Sequence, residues 1–138
     1  MTVFGSISSE PLDVGEHEAF VADPAAGATV VFCGVVRDLD HGRKVVELEY
    51  RAHPSVEQVL AEVVDEVSSD DEVIRLAVSH RIGVLAVGDV ALVAAVSTGH
   101  RAEAFAACAR VVELVKARLP IWKRQVFEDG TDEWVNCP

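Results

Sequence analysis

Residues 97–123, STGHRAEAFAACARVVELVKARLPIWK, carry the pattern that decides the fold of this chain. A polar Ser-Thr-Gly closes an apolar run. A helix starts near His100, and Phe105, Cys108, Val112, Val115 and Leu119 then recur at helical spacing as its buried stripe. Pro120 forbids continuation of the helix and biases Leu119 away from helical dihedrals. The segment therefore reads as a strand end, a long helix and a sharp stop. Its charge is equally informative. The chain has 12 Lys+Arg against 23 Asp+Glu, a net of −11, whereas this stretch sets Arg101, Arg110, Lys116, Arg118 and Lys123 against Glu103 and Glu113 alone, five against two. A cationic island in an acidic protein suits a small anionic ligand or a carboxylate. A nucleic-acid surface needs many cations on one face, and the negative excess opposes it.

On the N-terminal side, Thr2–Ile7 alternates weakly as a strand, and Asp13–Glu16 has the form of a capping box opening a short helix to about Val21. Thr29–Val36 is β-branched and apolar throughout, as in a strand buried on both faces, with Gly34 marking a bulge or a close approach. Arg37–Lys44 reads as a polar loop with a His-Gly turn. Val45–Tyr50 alternates, with Val46, Leu48 and Tyr50 on one face. Ser55–Gln58 resembles a second capping box, followed by an amphipathic helix with Val56, Val59, Leu60, Val63, Val64 and Val67 as its stripe. Ile74, Leu76, Val78, His80 and Ile82 alternate as a strand, and Val90–Ser97 reads as a buried one. Val126–Phe127 and Trp134–Val135 flank Asp129-Gly130 as a hairpin. Strands and helices joined this way are α+β, with a mixed or antiparallel sheet and the long helix in the C-terminal half, in a single domain over residues 1–138.

At this size a chain buries about two thirds of its unfolded surface and needs no staple. Half of the residues are hydrophobic and the mean hydropathy is +0.25, which favours an oligomer that covers some of that surface. Cys33, Cys108 and Cys137 have no metal-ligand spacing and suit a reducing compartment; Cys33 and Cys108 read as buried small hydrophobes. No basic and apolar leader opens the sequence, and the longest apolar run, Val90–Val96, is far short of a membrane span. A cytoplasmic protein is expected, with no membrane or nucleic-acid partner and no metal.

The candidates for chemistry follow the cations. His100-Arg101 stands where a helix starts, and unpaired N–H groups there attract anions; the alternative is a surface pair. Lys116 in the last turn of that helix is also explained by the helix dipole. Lys123 follows Pro120-Ile121-Trp122, a rigid and partly apolar turn against which a lysine pKa can fall. Arg37 leaves a buried strand at a loop. His80, on an apolar face, reads as a core histidine. His17, His41 and His53 show no metal spacing, and neither a phosphate loop nor a nucleophile elbow is present. Arg101 and Lys116 lie 15 residues apart, about 22 Å along a helix. One small ligand does not reach both in one chain. Either there are two sites, or the His-Arg of one subunit completes the lysine site of another in a homodimer.

An ordered set of motifs resembles the catalytic (large) subunit family of molybdopterin synthase. FCGVVR at Phe32–Arg37, LEY at Leu48–Tyr50, HRIG at His80–Gly83, VGD at Val87–Asp89, GHRAEAF at Gly99–Phe105, LVK at Leu114–Lys116 and PIWKR at Pro120–Arg124 fall in family order. The resemblance implies an α/β hammerhead fold and a sulfurtransferase of molybdenum cofactor biosynthesis. In that family a ubiquitin-like small subunit ending in a Gly-Gly thiocarboxylate inserts its tail into the large subunit. Its sulfur passes to cyclic pyranopterin monophosphate and forms the molybdopterin dithiolene, within a heterotetramer built on a dimer of large subunits. No further cofactor is implied, because the sulfur arrives on the partner. By the family pattern Lys116 and Lys123 are catalytic, and Arg37 shares their pocket. His100 and Arg101 bind the anionic part of the substrate from the other subunit, and Arg124 and Gln125 belong to the substrate-binding set. Gln125 departs from the family, which usually has Glu there, and removes a charge beside Lys123. Val56 stands where Met is common. The competing readings are a persulfide sulfurtransferase using Cys33 or Cys108, and a non-catalytic dimeric module binding a phosphorylated ligand or a ubiquitin-like tail.

Overall fold

A computed structural model describes residues 2–136. In chain order the elements are β1 (Val3–Ser8), α1 (Val14–Val21), β2 (Ala28–Val35), β3 (Leu39–Asp40), β4 (Arg43–Ala52), α2 (Val56–Ser68), β5 (Val73–Arg81), β6 (Gly83–Ala86), β7 (Val90–Thr98), α3 (Arg101–Arg118), β8 (Ile121–Phe127) and β9 (Asp132–Asn136). One sheet has the order β1-β5-β7-β2, with β1 parallel to β5 and the other pairs antiparallel. The second runs β3-β4-β8-β9, with β6 also paired to β4. The α+β expectation holds.

Strand parity divides the first sheet into two faces. Leu76 and Val78 of β5, with Leu92, Ala94 and Val96 of β7, pack under α2 and α3 in the main core. Ala77 and Ala95 face the other way and meet Val21 of α1. Both central strands are covered on both faces, which accounts for the near-continuous apolar run of β7 and for the unbroken burial of β5 from Leu76 to His80. Leu60, Val63 and Val111 are fully buried, each contributing about 1.5–3 kcal/mol by leaving water. The Asp13 cap forms as expected, its carboxylate accepting from the Glu16 N–H at 3.1 Å. On α1, His17 Nδ1 lies 2.7 Å from the Asp13 carbonyl, so it donates there, and Nε2 accepts from the Ser79 hydroxyl at 2.6 Å.

Several local expectations are corrected. β2 is an edge strand: Val30 and Phe32 face the core, but Cys33 and Val35 are exposed in the single chain. Composition signals an apolar strand without saying what covers it. The expected bulge lies between Gly34 and Val35. A second irregularity between Val45 and Glu47 shifts the phase of β4, so Val45 is buried and Val46 exposed. Residues 37–44 fold largely as a hairpin, β3 to β4, turned at His41 and Gly42 with φ of 49° and 80°. Ser55 makes no cap; its hydroxyl bonds the His53 ring at 2.8 Å instead. Phe105 is exposed, and Ala104, Ala107, Cys108, Val111, Val112 and Val115 form the buried stripe of α3. The alanines let the helix approach the sheet closely. Ile121 and Trp122, expected as a turn after Pro120, open strand β8, and Lys123 follows them on the same strand. Cys137 lies outside the described residues.

Gly27 fixes the approach to α3. Its N–H donates to the Thr98 carbonyl at 3.0 Å, and a Cβ there would overlap the Gly99 carbonyl oxygen, which is backbone and cannot swing aside. Gly27→Ala is expected to destabilise the protein by roughly 1–3 kcal/mol through overpacking, measured as a lower urea midpoint at unchanged slope.

Candidate functional site

Pro120 ends α3 and releases the chain directly into β8. Leu119 and Ile121 on either side of it are buried in the main core, so the junction is anchored. The His53 N–H donates to the Pro120 carbonyl at 2.9 Å and ties the turn to the end of β4. Lys116 in the last turn of α3 and Lys123 on β8 then face one cavity of about 260 Å³. In β8, Lys123 pairs with Tyr50 and Gln125 with Leu48 across to β4, and all four line the cavity. Arg37, Asp40, His80 and Leu92 are also in its lining.

Parity places Arg124 elsewhere. It alternates with Lys123 and Gln125, pairs with Asp132 at 2.7 Å and Glu49 at 3.8 Å, and does not line the cavity. His100 and Arg101 are exposed at the far end of α3 and do not line it either. His100 is the N-cap residue but makes no side-chain cap; the Thr98 hydroxyl donates to its carbonyl at 2.6 Å. Of the expected residues, the fold thus gathers Arg37, Lys116, Lys123 and Gln125 and separates Arg124, His100 and Arg101.

The electrostatics single out the lysines. Every Lys and Arg among the described residues lies in an ion pair with a carboxylate except Arg101, Lys116 and Lys123. Arg37 is highly exposed and shares Asp40 at 3.8 Å. Gln125 is buried, and its Oε1 has no hydrogen-bond partner among the described residues, a group whose desolvation costs about 1–3 kcal/mol. Val36, Leu48 and Ala91 make up an apolar wall that strengthens attraction between the ammonium groups and an anion.

His80 and Tyr50 were not marked as site residues by the sequence. His80 is buried as its apolar alternation implies, yet it also lines the cavity. The signal available was its place at the end of β5, two residues beyond Val78 on the core face and next to the HRIG turn. Burial pushes its imidazole from 6.5 down to about 4; the Arg81 carbonyl opposes this and the Lys116 ammonium adds to it. The unfolded imidazole takes up a proton near 6.5 and the folded one only near 4. The unfolded state therefore binds more protons in that window, and stability falls as pH drops through it. Urea denaturation between pH 7 and 4 is expected to show this loss, and His80→Phe to flatten it.

Neither described cysteine lines the cavity. Cys108 lies under α3 with its thiol directed to the Ala94 carbonyl at 3.8 Å, and burial pushes that thiol up, away from the reactive thiolate. Cys33 is exposed on β2. A persulfide route through these residues has no support in the cavity.

Comparison with known proteins agrees with this architecture. The profile of the family described as MoaE protein matches residues 7–118. The molybdopterin synthase catalytic subunit of Staphylococcus carnosus (strain TM300) is 38% identical over 130 residues, 94% of this chain and 86% of that protein. The crystal structure of molybdopterin synthase from Staphylococcus aureus is 37% identical, with a TM-score of 0.85 and 94% of each chain covered. A chain in the complex of subunits 1 and 2 of molybdopterin-converting factor from Helicobacter pylori 26695 shares the fold at 20% identity and a TM-score of 0.74, over 96% of this chain and 88% of that one. With its motifs in order, its fold matched over 94% of its length and its two unpaired lysines in one cavity, this chain belongs to the MoaE protein family of molybdopterin synthase catalytic subunits.

Proposed function

We propose that the cavity at the α3–β8 junction is where sulfur passes from the thiocarboxylated C-terminus of a ubiquitin-like small subunit to cyclic pyranopterin monophosphate, forming the molybdopterin dithiolene. The observation that carries this is the pair of unpaired cations, Lys116 and Lys123, facing one cavity in a protein of net charge −11. An acidic protein has carboxylates to spare, so ammonium groups left without one are available to an incoming anion. A thiocarboxylate is such an anion, and a glycine tail is slender enough for a cavity of about 260 Å³. Lys116 and Lys123 neutralise it and stabilise the charge that develops as the acyl carbon–sulfur bond breaks. Arg37 stands at the same cavity and supplies a further cation for the substrate's phosphate. Gln125 sits beside Lys123 as a neutral neighbour, and Arg124 serves the strand pair rather than the ligand.

Arg101 is the third unpaired cation and lies about 22 Å from Lys116 along α3. A homodimer in which one subunit's His100 and Arg101 complete the other's lysine cavity accommodates this distance. Apolar surface for such an assembly exists: Val35 and Phe105 are exposed, at the free edge of β2 and on α3. The small-subunit partner is supported by the fold shared with a chain of the two-subunit complex. Together these support a heterotetramer around a dimer of catalytic subunits.

The test is reconstitution with a thiocarboxylated small subunit and cyclic pyranopterin monophosphate, following molybdopterin as its fluorescent oxidation product. Product that requires both partners is expected; a bound small subunit with no product would favour a binding module. Lys116→Ala is expected to abolish transfer and leave the assembly intact by size-exclusion chromatography. Mixed assemblies of Arg101→Ala and Lys116→Ala chains are expected to regain activity at one site, and failure to regain it after subunit exchange would count against a shared site.

A further inference from the structure

The cavity contains a buried imidazole that the charge argument does not explain. His80 is 2% exposed, and its Nδ1 lies 2.7 Å from the Arg81 carbonyl oxygen. A carbonyl oxygen only accepts, so Nδ1 holds the ring proton and the neutral ring keeps its lone pair on Nε2. The Tyr50 ring stands edge-on to the imidazole, with centroids 5.0 Å apart at 86°, and fixes its plane. The side-chain hydrogen bond that the ring makes to another described residue is the one at Nδ1, which leaves the Nε2 lone pair as its acceptor site. The polar and charged groups that share the cavity with it are Tyr50 from β4, Lys116 from α3, Lys123 and Gln125 from β8, and Arg37 with Asp40, whose carboxylate is taken up by Arg37 and His41. Arg81, next along β5, turns its guanidinium to Asp89 at 3.2 Å.

Lys116 is near enough for its charge to act on this ring. It stands on a long flexible side chain in the exposed last turn of α3, with no ion pair among the described residues. An ammonium on four methylenes samples many rotamers, and holding it in one costs entropy each time a ligand binds. A carboxylate could hold it, but would cancel the charge needed by the incoming anion. A neutral acceptor orients the ammonium and leaves its charge intact.

We propose that His80 is a positioning residue for Lys116, its Nε2 lone pair accepting a hydrogen bond from the ammonium and directing it into the cavity. The role rests on the sulfur-transfer function proposed above. It explains why a polar ring occupies the end of an otherwise apolar face: the proton on Nδ1 is committed to the backbone so that Nε2 is free to accept.

Two variants and one spectrum test it. His80→Phe keeps an aromatic ring against Tyr50 and removes the acceptor; His80→Gln restores an acceptor on a flexible chain. In the reconstituted assay His80→Phe is expected to lower kcat by about 10–100-fold, the scale seen when an outer partner of a reacting group is lost, with KM for the small subunit changed less than about 3-fold. His80→Gln is expected to recover part of kcat. Wild-type kcat in a folded His80→Phe protein would overturn the proposal. The ¹⁵N resonance of His80 Nε2 reads the contact directly, without turnover. It is expected to move in Lys116→Ala while Nδ1 keeps its proton. An unmoved Nε2 resonance would overturn the proposal even if the wild-type protein transfers sulfur. A wild-type protein that makes no product, with the resonance moving as expected, would sink the assigned reaction and leave the His80–Lys116 contact standing.

Discussion

The burial of Leu119 and Ile121 on either side of Pro120 is the constraint from which the site follows. Proline cannot extend the helix, and the two apolar neighbours hold its end in the main core. The chain must then leave α3 as a strand. This single change of period, from 3.6 to 2, turns Lys116 and Lys123 toward the same space although they belong to different elements. The same parity sends Arg124 to the opposite face, where Glu49 and Asp132 absorb its charge. Adjacent basic residues thereby acquire unrelated roles.

The charge excess gives that geometry its meaning. With 23 acidic against 12 basic side chains, a carboxylate within reach of each cation is the ordinary outcome. Glu66 alone serves Arg110 and Arg118 and clasps α2 to α3. Surface pairs of this kind add little stability individually, but they withdraw cations from ligand binding. Lys116 and Lys123 escape because the nearest walls are Leu48, Tyr50, His80 and Leu92, an apolar and neutral lining. Asp40, the one carboxylate of the lining, is shared with Arg37 and His41. A neutral histidine and a neutral glutamine keep the cavity positive without filling it with competing anions.

Much of the fold was legible because its signals are local. The Asp13 cap, the stripe of α2 and the Asp129-Gly130 hairpin depend on residues a few positions apart, and all form. The failures share a different cause. Whether β2 is covered on one face or two depends on its place at the sheet edge, to which no residue within it testifies. The phase slip in β4 arises from pairing with β8, more than seventy positions away, and it moves Val46 outward. The exposure of Phe105 reflects how closely an alanine-lined helix face settles on the sheet, a property of the packed pair.

For the site, the sequence by itself determined the chemistry available: a basic segment in an acidic chain, a helix stopped by proline, and two lysines bracketing the stop, in motifs that match one family. These are one-dimensional properties of spacing, charge and residue type. Only the tertiary structure decided which of the basic residues share a cavity. Strand parity, the pairing of β8 with β4 and the competition of carboxylates for each cation are settled by contacts between segments far apart in the chain. The same is true of His80. Its burial could be read from alternation, but its place beside Lys116 required the end of β5 and the last turn of α3 to meet, which only the packed sheet and helix bring about.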